Sequence, residues 1–376
     1  MKYFCYYDTE INRRVCSLAA VNKINYICKK LRESGLNMNI VSCSMLADKK
    51  MPECTEIVSD GISVYFFPAW KRKKSYVGRV ASTIYRNILL FFYMIRYVKK
   101  NETVIVYHSL ANMRCIALAK WFKRFRLIME VEEIYNDVYL ISRLNAKREI
   151  RYIRSAEMYL FPTEVLSQKV NIGKKKQAIV YGAYEVQEFD EQKHDDGRIH
   201  IAYTGSFDPH KGGLMVALEI AKHLDDSFCL HILGTGSDEV LEKLNFAIKD
   251  NSSKNLCEIK YEGLKSGGEY NRYLQRCHLG LSTQNPDAAF NNTSFPSKVI
   301  SYLSNNLRVL TAPLDVLTQS EFSDYLYYYY DNDPAQIAEV IKSIDFSDQY
   351  DSTRIIEELD QSFQRSLQEL IKDDKI

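Results

Sequence analysis

Proline and glycine are scarce, 8 and 15 among 376 residues, and tryptophan occurs only twice. That scarcity excludes a collagen-like or low-complexity chain. No charge of one sign dominates: 50 Lys+Arg stand against 48 Asp+Glu, a net +2. The molecule as a whole therefore lacks the basic excess of a nucleic-acid binder, and no nucleic-acid partner is expected. Long apolar runs are missing too. The longest, residues 88–95, is eight residues between Arg86 and Arg96, far below the roughly 20 that cross a bilayer. The opening MKYFCYYDTEINRR has no charged segment leading into an apolar core and a small-residue cleavage site, so no secretion signal is expected. Nine cysteines, odd in number and nowhere closer than eleven residues, lack zinc-ligand spacing and read as core thiols of a reducing compartment, the cytoplasm. Seven histidines without H-E-x-x-H or similar spacing give no reason to expect a metal.

What is present is an ordinary globular composition, 46% apolar and 26% charged, at a length that suits two domains of roughly 150 residues or more. Strand-like and helical segments alternate almost from end to end, the pattern of parallel sheets wrapped by helices. In the first half, strands are expected at 3–7, 40–43, 62–67, 103–108, 127–131, 158–161 and 178–181, with helices over 15–31, 79–100 and 113–122. Residues 186–198, VQEFDEQKHDDGR, are polar without apolar periodicity and read as a linker. Beyond it, strands are expected at 199–204, 229–233, 257–261, 279–282, 309–311 and 325–329, with helices over 214–224, 239–248, 269–276, 296–303 and 335–344. An amphipathic helix over 354–371 closes the chain. The expectation is an α/β protein of two facing Rossmann-like, doubly wound domains with a cleft between them, residues 1–185 and 186–353. Charge is uneven. Residues 71–130 hold fourteen basic and two acidic side chains, a local +12 that leaves −10 for the rest. Such asymmetry suits an anionic surface or substrate at the first half; a solvated basic face is the plainer alternative.

Three segments of the second half carry chemistry. In YTGSFDPHKGG, 203–213, a strand runs through a glycine-bearing loop into a helix; unpaired N–H groups, the open backbone of Gly205 and the charge of Lys211 would receive an anion. Tight turning alone also uses those glycines. LGTGS, 233–237, repeats the strand-to-helix turn around Gly234, half of a dinucleotide fingerprint that a structural turn explains equally. In NPDAAFNNTSFPSKVISYLSNNLRVL, 285–310, Thr293 or Ser294 would cap a helix with Pro296 in its first turn and Ser297 and Lys298 at its positive end. Two such cradles at the carboxyl ends of strands suit a diphosphate. In the first half, His108 closes a strand and is expected to point into the crevice at the sheet's carboxyl edge. Glu130, Glu132 and Glu133, in EVEEIYNDV, suit a hydroxyl-rich ligand or form a solvated loop.

Together these segments resemble the family-4 retaining glycosyltransferases of GT-B fold, especially those of bacterial surface polysaccharide assembly, over nearly the whole chain and most strongly over 201–313. The resemblance implies transfer of a sugar from a nucleotide-diphosphate sugar, UDP favoured, to a lipid-linked saccharide acceptor, without metal or other cofactor. Lys211 matches the family's diphosphate lysine. Ser206 stands where an arginine is usual, leaving His210 or Arg308 to compensate. The family's Glu-x7-Glu pair falls on Thr293 and Ser301, hydroxyls in place of carboxylates. The implied catalytic residues are His108, close to the transferred sugar, and Lys211. Donor contacts fall to Gly205, Ser206, His210, Lys211, Gly234, Thr293, Ser294, Ser297, Lys298 and Ser301, in a nucleotide-sugar domain. Acceptor and membrane contacts fall to Lys71, Arg72, Lys73, Lys74 and Glu132, in an acceptor domain on which residues 354–376 pack back. There the basic helix carrying Tyr85, Leu89, Phe92 and Tyr93 would lie on the inner face of an anionic membrane. A non-catalytic partner or sugar-nucleotide-binding protein of the same fold is the alternative that Ser206, Thr293 and Ser301 suggest. An epimerase of UDP-sugars, drawing on Glu130, Glu132 and Glu133, is a third reading.

Overall fold

The computed structural model describes residues 1–10, 13–46, 53–68, 75–138, 142–188, 192–208, 212–254, 256–283, 291 and 294–372. The chain divides into two compact units, Met1–Ala183 with Gln361–Ile376, and Tyr184–Asp360.

The first unit holds strands β1 (Lys2–Cys5), β2 (Met38–Ser42), β3 (Cys54–Ser59), β4 (Ile62–Phe66), β5 (Thr103–Tyr107), β6 (Arg126–Glu130), β7 (Met158–Phe161) and β8 (Gln177–Ile179). They form one sheet in the order β3-β4-β2-β1-β5-β6-β7-β8. All neighbours are parallel except β3, which runs antiparallel to β4. Strands covered on both faces need apolar residues at nearly every position. β5 (TVIVY), β6 (RLIME) and β7 (MYLF) have them and are buried almost throughout. β3 (CTEIVS) alternates half-buried and exposed residues. This edge strand was not expected, although Asp60–Gly61, with Gly61 at φ 71°, is a two-residue turn whose twist suits a hairpin. The helices Arg143–Ile153 and Glu164–Val170 were not expected either.

The long basic helix runs from Tyr76 to Tyr97, and Gly78 N donates to its cap Ser75 at 3.2 Å. Leu90 and Met94 enter the core with Phe4, Val41, Val106 and Met129, each fully buried side chain contributing about 2 kcal/mol. Leu89 and Tyr93 pack partly against that core, whereas Phe92 turns outward. No helix among the described residues is long and apolar enough to cross a membrane.

The second unit holds β9 (Ile199–Ser206), β10 (Phe228–Thr235), β11 (Glu258–Gly263), β12 (Leu279–Ser282), β13 (Arg308–Thr311) and β14 (Leu326–Tyr328), all parallel, in the order β11-β10-β9-β12-β13-β14. Each unit is thus a doubly wound, Rossmann-like sheet. The polar stretch read as a linker is tied along the second unit. Gln187 N donates to Ser304 O at 3.2 Å, Gln275 Nε2 to Glu188 O at 2.8 Å and His194 N to Arg276 O at 3.0 Å. Hydrogen bonds to backbone atoms of Gln187, Glu188 and His194 hold its described parts without any apolar pattern. The division between units falls inside the helix Thr353–Leu370. Its end stacks Phe363 on Tyr26, ring centroids 5.6 Å apart, and Gln364 Nε2 donates to Ser34 Oγ at 2.8 Å. All nine cysteines are free.

Candidate anion-binding site

Within the second unit, β9 lies between β10 and β12, so the chain reverses its direction of winding between β9 and β12. Ligands of doubly wound sheets gather at the carboxyl end of that gap. At the carboxyl end of β9, beside that gap, Gly205 pairs with Gly234 of β10, at φ 139° and 146°. A Cβ on Gly234 would lie 1.9 Å from the Gly205 carbonyl oxygen, so only glycine lets the two strand ends meet. Ser206, the last residue of β9, is exposed. The helix Gly213–Ala221 starts after Gly212 at φ 67°. A Cβ on Gly213 would lie 2.1 Å from Thr283 O, and Thr283 Oγ1 donates to Gly213 O at 2.9 Å. This close packing holds the helix N-terminus, whose first-turn N–H groups have no partner within the helix, beside the end of β12.

The ammonium of Lys298 reaches the same place. Its Nζ lies 4.1 Å from the centre of the Tyr203 ring and 3.7 Å from where a Gly205 Cβ would stand. Ser297, exposed, occupies the N-cap of the helix Lys298–Ser304 and makes no capping bond. The expected cap at Thr293 or Ser294 is corrected accordingly: Pro296 precedes the helix, and its carbonyl accepts from Val299 N at 2.9 Å. Ser294 Oγ is buried without a hydrogen-bond partner among the described residues. Ser301 Oγ donates to Tyr270 Oη at 3.1 Å, and Tyr270 Oη meets Thr204 Oγ1 at 3.2 Å. Thr204 N in turn donates to Tyr302 Oη at 3.0 Å. Ser301 thus belongs to a hydroxyl chain that ties its helix to β9. Tyr203 and Tyr270 were missed because apolar patterning counts a tyrosine as core and ignores its hydroxyl or ring face. His210, Lys211 and Thr293 lie outside the described residues.

In the first unit the winding reverses between β1 and β5. Tyr6 and Ser109, just beyond those strands, hydrogen-bond at 2.7 Å. Buried Arg86 stands over Tyr6, with Nη2 donating to Asn112 Oδ1 at 3.0 Å and Nη1 to Cys43 O at 3.2 Å. Its membership in a basic helix concealed it in the sequence; only its face of the helix distinguishes it. His108 requires a correction. Its side chain is 1% exposed, 3.6 Å from Glu149 Oε1 and flanked by the rings of Tyr135 and Tyr152, so it is enclosed instead of opening onto the edge. The unexpected helix Arg143–Ile153, which carries Glu149 and Tyr152, supplies the cover. Burial pushes the imidazole down to about 4, against a hydrogen bond to the Glu133 backbone, and pushes the Glu149 carboxyl up. His108 is therefore uncharged at neutral pH. Glu132 pairs with Lys23 at 2.6 Å. Glu130, wholly enclosed, accepts from the Tyr3 hydroxyl; burial first and the charge of Glu132 second push it up to about 8. Lys71, Arg72, Lys73 and Lys74 lie outside the described residues.

Among solved structures, the whole chain is similar to a trehalose-6-phosphate protein of E. coli bound with UDP-2-fluoro glucose (TM-score 0.70, 10% identity, 100% of this chain and 99% of that chain). It is similar to HepE of Anabaena in complex with UDP (TM-score 0.67, 10% identity, 100% and 99%). It is likewise similar to a UDP-forming α,α-trehalose-phosphate synthase of Burkholderia xenovorans (TM-score 0.68, 11% identity, 99% and 98%). These full-length likenesses show the fold, two Rossmann-like domains of GT-B type. No protein-family profile matches the sequence, and no curated protein matches it.

Proposed function

We propose that the protein is a retaining glycosyltransferase that moves a sugar from a nucleotide-diphosphate sugar, with UDP the favoured nucleotide, to a saccharide acceptor. The observation that carries this reading is the convergence of the Lys298 ammonium, the Gly205 backbone and the N-terminus of the helix Gly213–Ala221 at the winding reversal of the second unit. Positive groups fixed there before the reaction stabilise the diphosphate as it leaves, and the resemblance to the family-4 enzymes gives Lys211 the same role. UDP is favoured because the similar structures carry UDP or a UDP-sugar. As in the family-4 enzymes that the sequence resembles, the departing phosphate takes part in deprotonating the attacking hydroxyl, and no metal or protein nucleophile is required. The first unit holds the acceptor in this reading, with Glu132 among its contacts.

The acceptor is lipid-linked in this reading, with the protein peripheral on the cytoplasmic face of a membrane. Val77, Val80, Ile84, Ile88 and Phe92 form an exposed stripe on the helix Tyr76–Tyr97, and Leu118, Trp121 and Phe122 are exposed on the helix Met113–Lys123. Phe91 and Phe122, 6.1 Å apart, join the two helices, and exposed Arg96 and Arg114 border the exposed apolar residues. Apolar and basic groups interleaved in this way suit an anionic lipid surface, as in surface polysaccharide assembly.

Calorimetric titration with UDP, GDP and dTDP, without metal and again with magnesium, tests the donor site. Micromolar binding of UDP without metal is expected. Binding of none of the three would overturn the donor reading in favour of a non-catalytic partner, which Ser206 and the hydrogen-bonded Ser301 favour.

A further inference from the structure

The second unit gathers histidines that are far apart in the sequence. His200 stands near the start of β9. His231 stands on β10, two residues beyond the partner of His200 in the parallel ladder, and so on the same face of the sheet. His194 comes from the tied segment that precedes β9. Its ring stacks on His200, centroids 3.9 Å apart, and lies nearly parallel to His231 at 5.5 Å.

The hydrogen bonds give these rings a direction. His200 Nε2 is 2.9 Å from Asp196 Oδ1, and His231 Nδ1 is 2.7 Å from Tyr273 Oη and 3.3 Å from Glu262 Oε1. Each ring thus has one nitrogen engaged by an oxygen partner. The other two nitrogens, His200 Nδ1 and His231 Nε2, face each other at 2.7 Å. The third ring adds an orphan: His194 Nε2 is buried with no hydrogen-bond partner among the described residues. One ligand atom from each of the three residues lies within 4.8 Å of the others.

We propose that His194, His200 and His231 form a binding site for a divalent transition metal of the zinc class. Imidazole nitrogens suit zinc, copper and nickel. Asp196 and Glu262 occupy the place that carboxylates take behind metal-bound histidines, where they fix ring orientation and raise ligand basicity. Bonds of about 2.0–2.1 Å in a tetrahedron place nitrogens about 3.3 Å apart, so the facing pair must part by about 0.6 Å. The metal would fasten the segment carrying His194 to β9 and β10. This site is separate from the anion site: Gly205 stands five residues along β9 from His200, about 16 Å at strand rise.

Metal-stripped full-length protein titrated calorimetrically with Zn²⁺ tests the proposal, with Co²⁺ absorption reporting coordination geometry. One Zn²⁺ per chain at micromolar affinity or tighter is expected, with tetrahedral Co²⁺ bands. His194→Ala and His231→Gln should each weaken binding at least tenfold. Because a β10 variant can disturb folding, the melting temperature supplies a second readout on His194→Ala, whose site lies outside the sheet. Zn²⁺ should raise the melting temperature of the wild type and not of this variant, whose metal-free value should match the wild type. Absence of stoichiometric binding, or undiminished binding in both variants, overturns the proposal.

Discussion

Lys298 is the charged side chain placed beside Gly205, so its removal should act on the nucleotide and little on the fold. Lys298→Ala is expected to raise the Kd for UDP at least tenfold, about 1.4 kcal/mol, with circular dichroism unchanged. An unchanged Kd would remove Lys298 from the donor site. Glu130 gives a prediction of different kind. Its carboxyl is held up to about 8, chiefly by burial, against about 4.3 in an unfolded chain. Between those values the folded protein binds a proton that the unfolded chain does not, so stability falls as pH rises from about 4.3 to 8. Glu130→Gln imitates the neutral form and removes that dependence. Its melting temperature should change less than that of the wild type between pH 5 and 9 and exceed it at pH 9; parallel pH profiles for the two proteins would refute this.

On the scale of the element, the helix Tyr76–Tyr97 shows how much patterning reveals. Its existence followed from apolar spacing, but Leu90 and Met94 face the core while Ile84, Ile88 and Phe92 face outward, and a helix apolar on both sides does not disclose which stripe is buried. The outer stripe makes a testable surface. Phe92→Ser with Trp121→Ser should weaken binding to anionic liposomes at least tenfold, since each aromatic side chain contributes about 2 kcal/mol when buried. Neutralising Lys71, Arg72, Lys73 and Lys74 should weaken it further at low salt, by about 1 kcal/mol per charge. Liposome binding unaffected by both changes would refute the membrane surface. Central strands such as β6 and β7 were legible because parallel pairing demands unbroken apolar runs. β3 was not, because an edge strand wets one side and CTEIVS resembles a loop. Gly205 and Gly234 were legible as turns whose function stayed open, and the structure adds the reason each must be glycine. Arg86, Tyr270 and the histidine cluster were hidden because their partners come from other strands and helices, a relation no local window contains.

In the whole molecule, two sheets with separate cores lie on one chain, and the proposed donor groups all belong to the second unit. A ligand stabilises only the part whose folded form binds it. Scanning calorimetry should therefore resolve two transitions, of which UDP raises one. At a hundred times its Kd the gain is about 2.7 kcal/mol, or roughly 5–10 °C for a unit of this size. The transition that UDP leaves unmoved can be assigned independently. Phe363 is buried against Tyr26 within the first unit, and Phe363→Ala should destabilise that unit by about 3–4 kcal/mol while leaving the shift caused by UDP intact. If UDP and Phe363→Ala instead move the same transition, the helix Thr353–Leu370, which begins in one unit and ends in the other, makes the two unfold together. The donor site would then draw stability from the first unit's core, and a core substitution there would weaken nucleotide binding at temperatures near the transition.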